Sequence, residues 1–169
     1  MELTKMLLSD LEREVARSRR ALGEAPEGKH DWKPHERSMV FGYLAGMVAT
    51  IPTWVEMIVT RDELDIDPAD GLKIEMSGND SSEALLKTLD KAAAGARKAL
   101  AETTEEHLLT GWRLLARGQV VWEGTRHEMI RDTLSHLAHH RGQMTVYLRL
   151  MGSKVPALYG PSADDEQFA

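Results

Sequence analysis

Four stretches of this chain repeat their apolar residues every three or four positions, and that period confines it to a fold built from packed amphipathic helices. Leu3, Leu7, Leu11, Val15, Ser18 and Leu22 make the first stripe, over residues 2 to 22, closed by Gly23 and Pro26. A second helix is expected from Met39 to Thr60, with Val40, Leu44, Met47, Ile51, Trp54 and Ile58 on one side and Ser38 as its N-cap. Pro52 predicts a kink rather than an end, since the stripe continues beyond it. Ser81 or Ser82 caps a third helix reaching Glu102, along a narrow line of Leu85, Leu89, Ala92, Ala96 and Leu100. The fourth and longest runs from Thr125 to Met151 and stops at Gly152.

What lies between is polar or broken. Residues 61 to 80 form a long polar connection, and residues 112 to 124 alternate around Arg117 and Gly118 as a short hairpin would. Residues 156 to 169 read as a turn-rich acidic tail. The 169 residues suit one domain, and four such helices most simply make an all-α four-helix bundle.

Composition removes several kinds of chemistry. With no cysteine there is no disulfide, thiolate zinc site or catalytic thiol of the protein's own. A net charge of −6 and the lack of a basic stripe argue against nucleic-acid binding. No window approaches the roughly 20 apolar residues of a membrane span, and the first 20 residues do not read as a signal peptide, so a cytoplasmic protein is expected.

Three of the seven histidines crowd into SHLAHHRGQ. At about 100° per residue, His136 and His140 fall on the core-facing side with Met129, Met144 and Tyr147, whereas His139 points away. Two imidazoles one turn apart can meet one divalent ion, with a third ligand from another helix. They can equally be core-edge histidines hydrogen-bonded across the bundle. Gln143 and Tyr147, one and two turns further on, are placed to orient a substrate. Arg141 falls beside the apolar arc and needs an acidic partner or an exit to solvent. His30, His35, His107 and His127 fall in loops or near a helix start.

The blocks PEGKHDWKPHERSM (26 to 39), LAGMVATIPTWVEMI (44 to 58) and HLAHHRGQMTVYLRLMGSKVPALYGPSADD (136 to 165) resemble the DinB-like family, which includes bacillithiol- and mycothiol-linked transferases. The resemblance implies an up-down-down-up bundle with a long crossover between the second and third helices, and homodimers. It also implies a divalent metal (Zn, Ni or Fe) on three histidines, presenting a low-molecular-weight thiol to an electrophile. His136 and His140 match two of those ligands. In LAGM, Met47 stands where the family pattern has its third histidine. A neutral, soft thioether is a poor ligand for Zn²⁺ or Ni²⁺, so the alternative is a non-catalytic member with a degenerate site, a small-molecule-binding or oligomerisation module.

Overall fold

A computed structural model describes residues 2 to 69 and 81 to 167. Helix α1 spans Leu3–Gly23, α2 Phe41–Thr50, α3 Pro52–Thr60, α4 Ser82–Glu102, α5 Glu105–Leu108 and α6 Arg126–Leu150. Strands β1 (Glu63–Asp65), β2 (Gly111–Ala116) and β3 (Gln119–Thr125) form one sheet in the order β1-β2-β3. The chain is therefore mostly helical with a small sheet, which corrects the all-α expectation.

The helical stripes become the core. Leu7, Leu11, Leu22, Leu44, Ile51, Ile58, Leu85, Leu89 and Leu100 are almost wholly buried. Burying a side chain of this size contributes about 1.5 to 3 kcal/mol. Cross-helix pairs set the directions. Glu12 meets Arg97 and Arg19 meets Asp90, so α1 and α4 are antiparallel. Asp10 shares a cavity wall with Arg131 while Ser18 accepts from Arg141, so α1 and α6 are parallel. Tyr147 reaches Met39 and His136 packs on Trp54, so α6 opposes the α2–α3 limb.

Pro52 does more than kink its helix. It begins α3 after a break, and the axes of α2 and α3 differ by 45°. A proline ring cannot donate to, and crowds, the preceding turn. Ser38 does not cap α2. The N-cap residue is Val40, and the first-turn amides are met by loop carbonyls instead, Phe41 N–H donating to Trp32 at 2.7 Å and Gly42 N–H to His30 at 2.9 Å. Ser81 does cap α4, accepting from Ala84 N–H at 3.2 Å, and Thr125 and Glu128 form a capping box on α6.

The expected hairpin is β2–β3, turning at Arg117 and Gly118, both at positive φ (52° and 71°) as a tight hairpin turn requires. Two elements have no counterpart in the sequence reading. Strand β1, inside the long polar connection, pairs in parallel with β2, and α5 is one short turn before β2. The remainder of that connection, residues 70 to 80, lies outside the described residues. Arg126, 3% exposed, ties these parts together by donating to Ile58 O and Asp62 Oδ1 at 2.6 Å each and to Thr110 Oγ1 at 3.0 Å.

The acidic tail is packed rather than loose. Ala157 and Leu158 are buried, Arg17 Nε donates to Leu158 O at 3.0 Å, and the Arg17 guanidinium lies 4.0 Å above the Tyr159 ring. Among the described residues no single helix is long and apolar enough to cross a membrane. The bent α2–α3 pair passes on length and composition alone, and α2 is mostly core.

Candidate functional site

Helix α6 carries the candidate pair because its inward stripe is interrupted by imidazoles. His140 is buried and His136 half-buried, while His139 is exposed, as the helical spacing predicts. The two rings face each other, His136 Nε2 and His140 Nε2 lying 2.7 Å apart. Gln143 Oε1 sits 2.9 Å from His140 Nδ1. With the amide oxygen there, His140 keeps its proton on Nδ1, and its bare Nε2 accepts from His136 Nε2–H. A Trp54 indole from α3 closes the outer side, its ring 5.6 Å from that of His136.

Both rings are held below the usual histidine range. For His136 burial acts first, and the neighbouring His140 and His139 add to it. For His140 burial again leads, Gln143 pulls the other way, and His139 lowers it further. Since folding disfavours protonation here, the unfolded chain takes up protons first as acid is added. The pair's stabilisation is complete above the unfolded value of 6.5 and is lost as pH falls from there toward the lower folded values. Urea midpoints measured at about pH 7.5 and about pH 5.5 are expected to differ more in the native sequence than in a His136→Gln, His140→Gln double variant. Equal differences would show that the pair carries no such linkage.

Opposite the pair stands the α2–α3 limb. In sequence Met47 lies on α2 between Met39, which meets Tyr147, and Trp54, which meets His136. Met47 is 8% exposed and belongs to the core cluster. Tested as a three-ligand divalent centre, this donor set does not fit. Two imidazoles converge, the third place is a thioether, and no group of three histidine, cysteine, aspartate or glutamate side chains among the described residues is arranged to hold a metal.

The other proposed site residues have structural work. Gln143 orients His140. Tyr147, 9% exposed, donates its hydroxyl to Met39 O at 3.2 Å and meets Trp32 edge-on at 5.5 Å. Among the remaining histidines, the His30 ring lies where a side chain on Gly42 would go, and His35 Nδ1 accepts from Arg37 N–H at 3.1 Å. His107 Nε2 is 2.8 Å from Val59 O, and His127 Nδ1 is 2.8 Å from Thr125 Oγ1.

Arg141 finds the acid that its position demanded. It is fully buried, bonded to the Glu14 carboxylate and to Tyr159, and donates to Glu14 O and Ser18 Oγ at 3.0 Å each. Burial opposes the Glu14 charge, yet the bonds and charges of Arg141, with Arg17 and Tyr159, hold that carboxyl below the ordinary glutamate range. Sequence reasoning missed Glu14 and the role of Trp54. The only signal for either was position, Glu14 beside the Ser18 stripe of α1 and Trp54 seven residues after Met47.

The sequence profile of the DinB family matches residues 4–167. The chain belongs to the DinB family. Its fold resembles that of a DinB-like protein from Bacillus cereus ATCC 10987, with a TM-score of 0.68 and 21% identity over 90% of this chain and 95% of that one. A DinB-like protein from Bacillus subtilis gives 0.66 and 18% over 95% and 99%. A DinB-family structure from Exiguobacterium sibiricum 255-15 gives 0.60 and 17% over 90% and 93%. At such identities the likeness speaks for the fold alone. The uncharacterized protein YrdA of Bacillus subtilis (strain 168) is 50% identical over 32 residues, 19% of each chain. This chain thus matches about a fifth of the length of that relative.

Proposed function

We propose that this DinB-family chain is a member with a degenerate metal centre, serving as a small-molecule-binding module that associates with a second copy of itself. The observation that carries this reading is the closed His136–His140 pair, hydrogen-bonded to itself across 2.7 Å, in a chain whose second helix carries a buried Met47 where the family pattern has its third histidine. In the loop before α2, Gly28, His30, Asp31 and Trp32 line a recess of ≈ 620 Å³ that can take a small molecule. Trp32 in turn meets Tyr147 edge-on, which sets this recess beside the C-terminal end of α6. The self-association reading is supported by Val146 and Leu150, 57% and 59% exposed and one turn apart on the outside of α6.

A second reading, a transferase using a divalent ion to activate a low-molecular-weight thiol, draws support from the convergence of two Nε2 atoms. Among the described residues no third histidine, cysteine, aspartate or glutamate joins them.

Elemental analysis separates the two. The purified protein, and the protein incubated with Zn²⁺ or Ni²⁺ and desalted, is expected to hold well under one divalent ion per chain. Stoichiometric metal that disappears in His136→Ala and His140→Ala would establish the transferase-type centre instead. Sedimentation equilibrium on the same preparation is expected to give a dimer mass, reduced to a monomer by Val146→Lys with Leu150→Lys.

A further inference from the structure

A recess of ≈ 270 Å³ lies between α1 and α6, lined by Asp10 and Glu14 from α1, by Arg131, Leu134 and Ala138 from α6, and by Tyr159 from the tail. At about 100° per residue, Leu134 and Ala138 fall on the side of α6 away from the histidine pair. The charged groups of this recess are only partly used. A carboxylate offers about four acceptor positions. Glu14 fills three of them, with Arg17, Arg141 and the Tyr159 hydroxyl, and Asp10 fills one, with Arg13. Burial opposes the Glu14 charge, but the bonds and charge of Arg141 keep this carboxyl ionised. Arg131 lines the same recess yet bonds to neither acid, and among the described residues it forms no ion pair. Glu128, one turn earlier on α6, is taken by the Thr125 cap.

Spare acceptors on one helix therefore share a small space with spare donors on the other, beside the apolar surface of Leu134 and Ala138. A purely anionic ligand would meet two carboxylates there, and a purely cationic one would meet a guanidinium. A molecule carrying both charges meets each with its opposite. An ammonium brings three donors for the free carboxylate positions, and a guanidinium fork accepts a carboxylate in two parallel bonds. The volume lies at the small end of ligand sites, which limits the ligand to a short apolar body. We propose that this recess binds a small zwitterion of the amino-acid class, its ammonium on Asp10 and Glu14, its carboxylate on Arg131 and its side chain on Leu134 and Ala138. The site is separate from the recess before α2.

Thermal melts of the full chain with each standard amino acid at millimolar concentration select the best probe. Isothermal titration then compares that amino acid with its methyl ester, which lacks the anion, and with its des-amino acid, which lacks the cation. Saturable binding of the amino acid is expected, with either analogue weaker by at least about tenfold, the loss that follows from removing a hydrogen-bonded charge. Arg131→Met and Asp10→Asn, each checked for folding by its melt, are expected to weaken the amino acid by a similar factor. Arg131→Met should leave the affinity for the ester unchanged, because the ester has no carboxylate to lose a partner. Asp31→Asn, in the recess before α2, should change nothing. No stabilisation by any amino acid, analogues that bind as tightly as the parent, or full affinity in Arg131→Met overturns the site. Binding that survives Arg131→Met and Asp10→Asn but is lost in Asp31→Asn belongs to the recess before α2 and overturns it as well.

Discussion

Replacing Arg141 with alanine is expected to lower the unfolding free energy by about 3 kcal/mol, the lower part of the range for breaking one side of a buried ion pair. Its side chain is fully buried, and it supplies Glu14, Ser18 Oγ, Glu14 O and Tyr159 at once. Without it the Glu14 carboxylate, 13% exposed, keeps only Arg17 and Tyr159, and three further acceptors, Glu14 O, Ser18 Oγ and Tyr159 Oη, lose a donor. Those remaining partners are why the upper end of the range is not expected. Arg17→Ala is the control. It touches the same carboxylate from a position 18% exposed, where water can replace it, and about 1 kcal/mol is expected. Urea unfolding of the two variants checks the ordering. Acid adds a second signature. Glu14 titrates below its ordinary value when folded, so its contribution is present above the unfolded value of 4.5 and is lost as pH falls through the lower folded one. That loss is expected to shrink in Arg141→Ala. Equal destabilisation by both substitutions would show that burial is not what gives Arg141 its weight.

Met47→His is expected to produce the largest change in binding. It restores the histidine that the family pattern has on the second helix, beside two imidazoles whose Nε2 atoms already converge, and so supplies the three-nitrogen donor set that suits Zn²⁺. The metal-free variant should be less stable than the native chain by about 1 to 3 kcal/mol, because an imidazole there replaces an apolar side chain in the core. Zn²⁺ should recover that and more, since a ligand at a thousandfold excess over its dissociation constant stabilises by about 4 kcal/mol. Thermal melts with and without Zn²⁺, read beside metal content after desalting, check both halves. If the native sequence already gains as much from Zn²⁺ as the variant, Met47 is no defect and the degenerate-centre reading falls.

Self-association and divalent-ion content each have their own readout, so a result in one leaves the other to be judged separately. The Arg141 cluster, by contrast, belongs to stability. It anchors the tail through Tyr159, and the pairs of Arg20 and Arg149 with Asp165 and Asp164 extend that anchoring along the bundle.

The sequence by itself determined the features whose cause lies within one segment. Leu7, Leu11 and Leu22, or Leu85, Leu89 and Leu100, predict their burial because a helix brings every third or fourth residue to one side, whatever it packs against. Pro52 had to bend its helix, the Arg117-Gly118 pair supplied a hairpin turn, and the spacing of His136 and His140 turned both inward and His139 out. Tertiary structure decided whatever depends on residues far apart in the chain. Glu14 and Arg141 meet across 127 positions, and only the parallel packing of α1 on α6 says that they do. Strand β1 contributes three residues with a single buried side chain, Leu64, too short for any periodicity, and exists because β2 offers an edge to pair with. Ser38 lost its place as a cap because the carbonyls of His30 and Trp32 reached the first amides of α2 before a side chain was needed. The proton arrangement of the histidine pair likewise follows from Gln143 and from burial. Hydrogen bonds and desolvation are properties of a surrounding, and a surrounding is assembled only when the chain has folded.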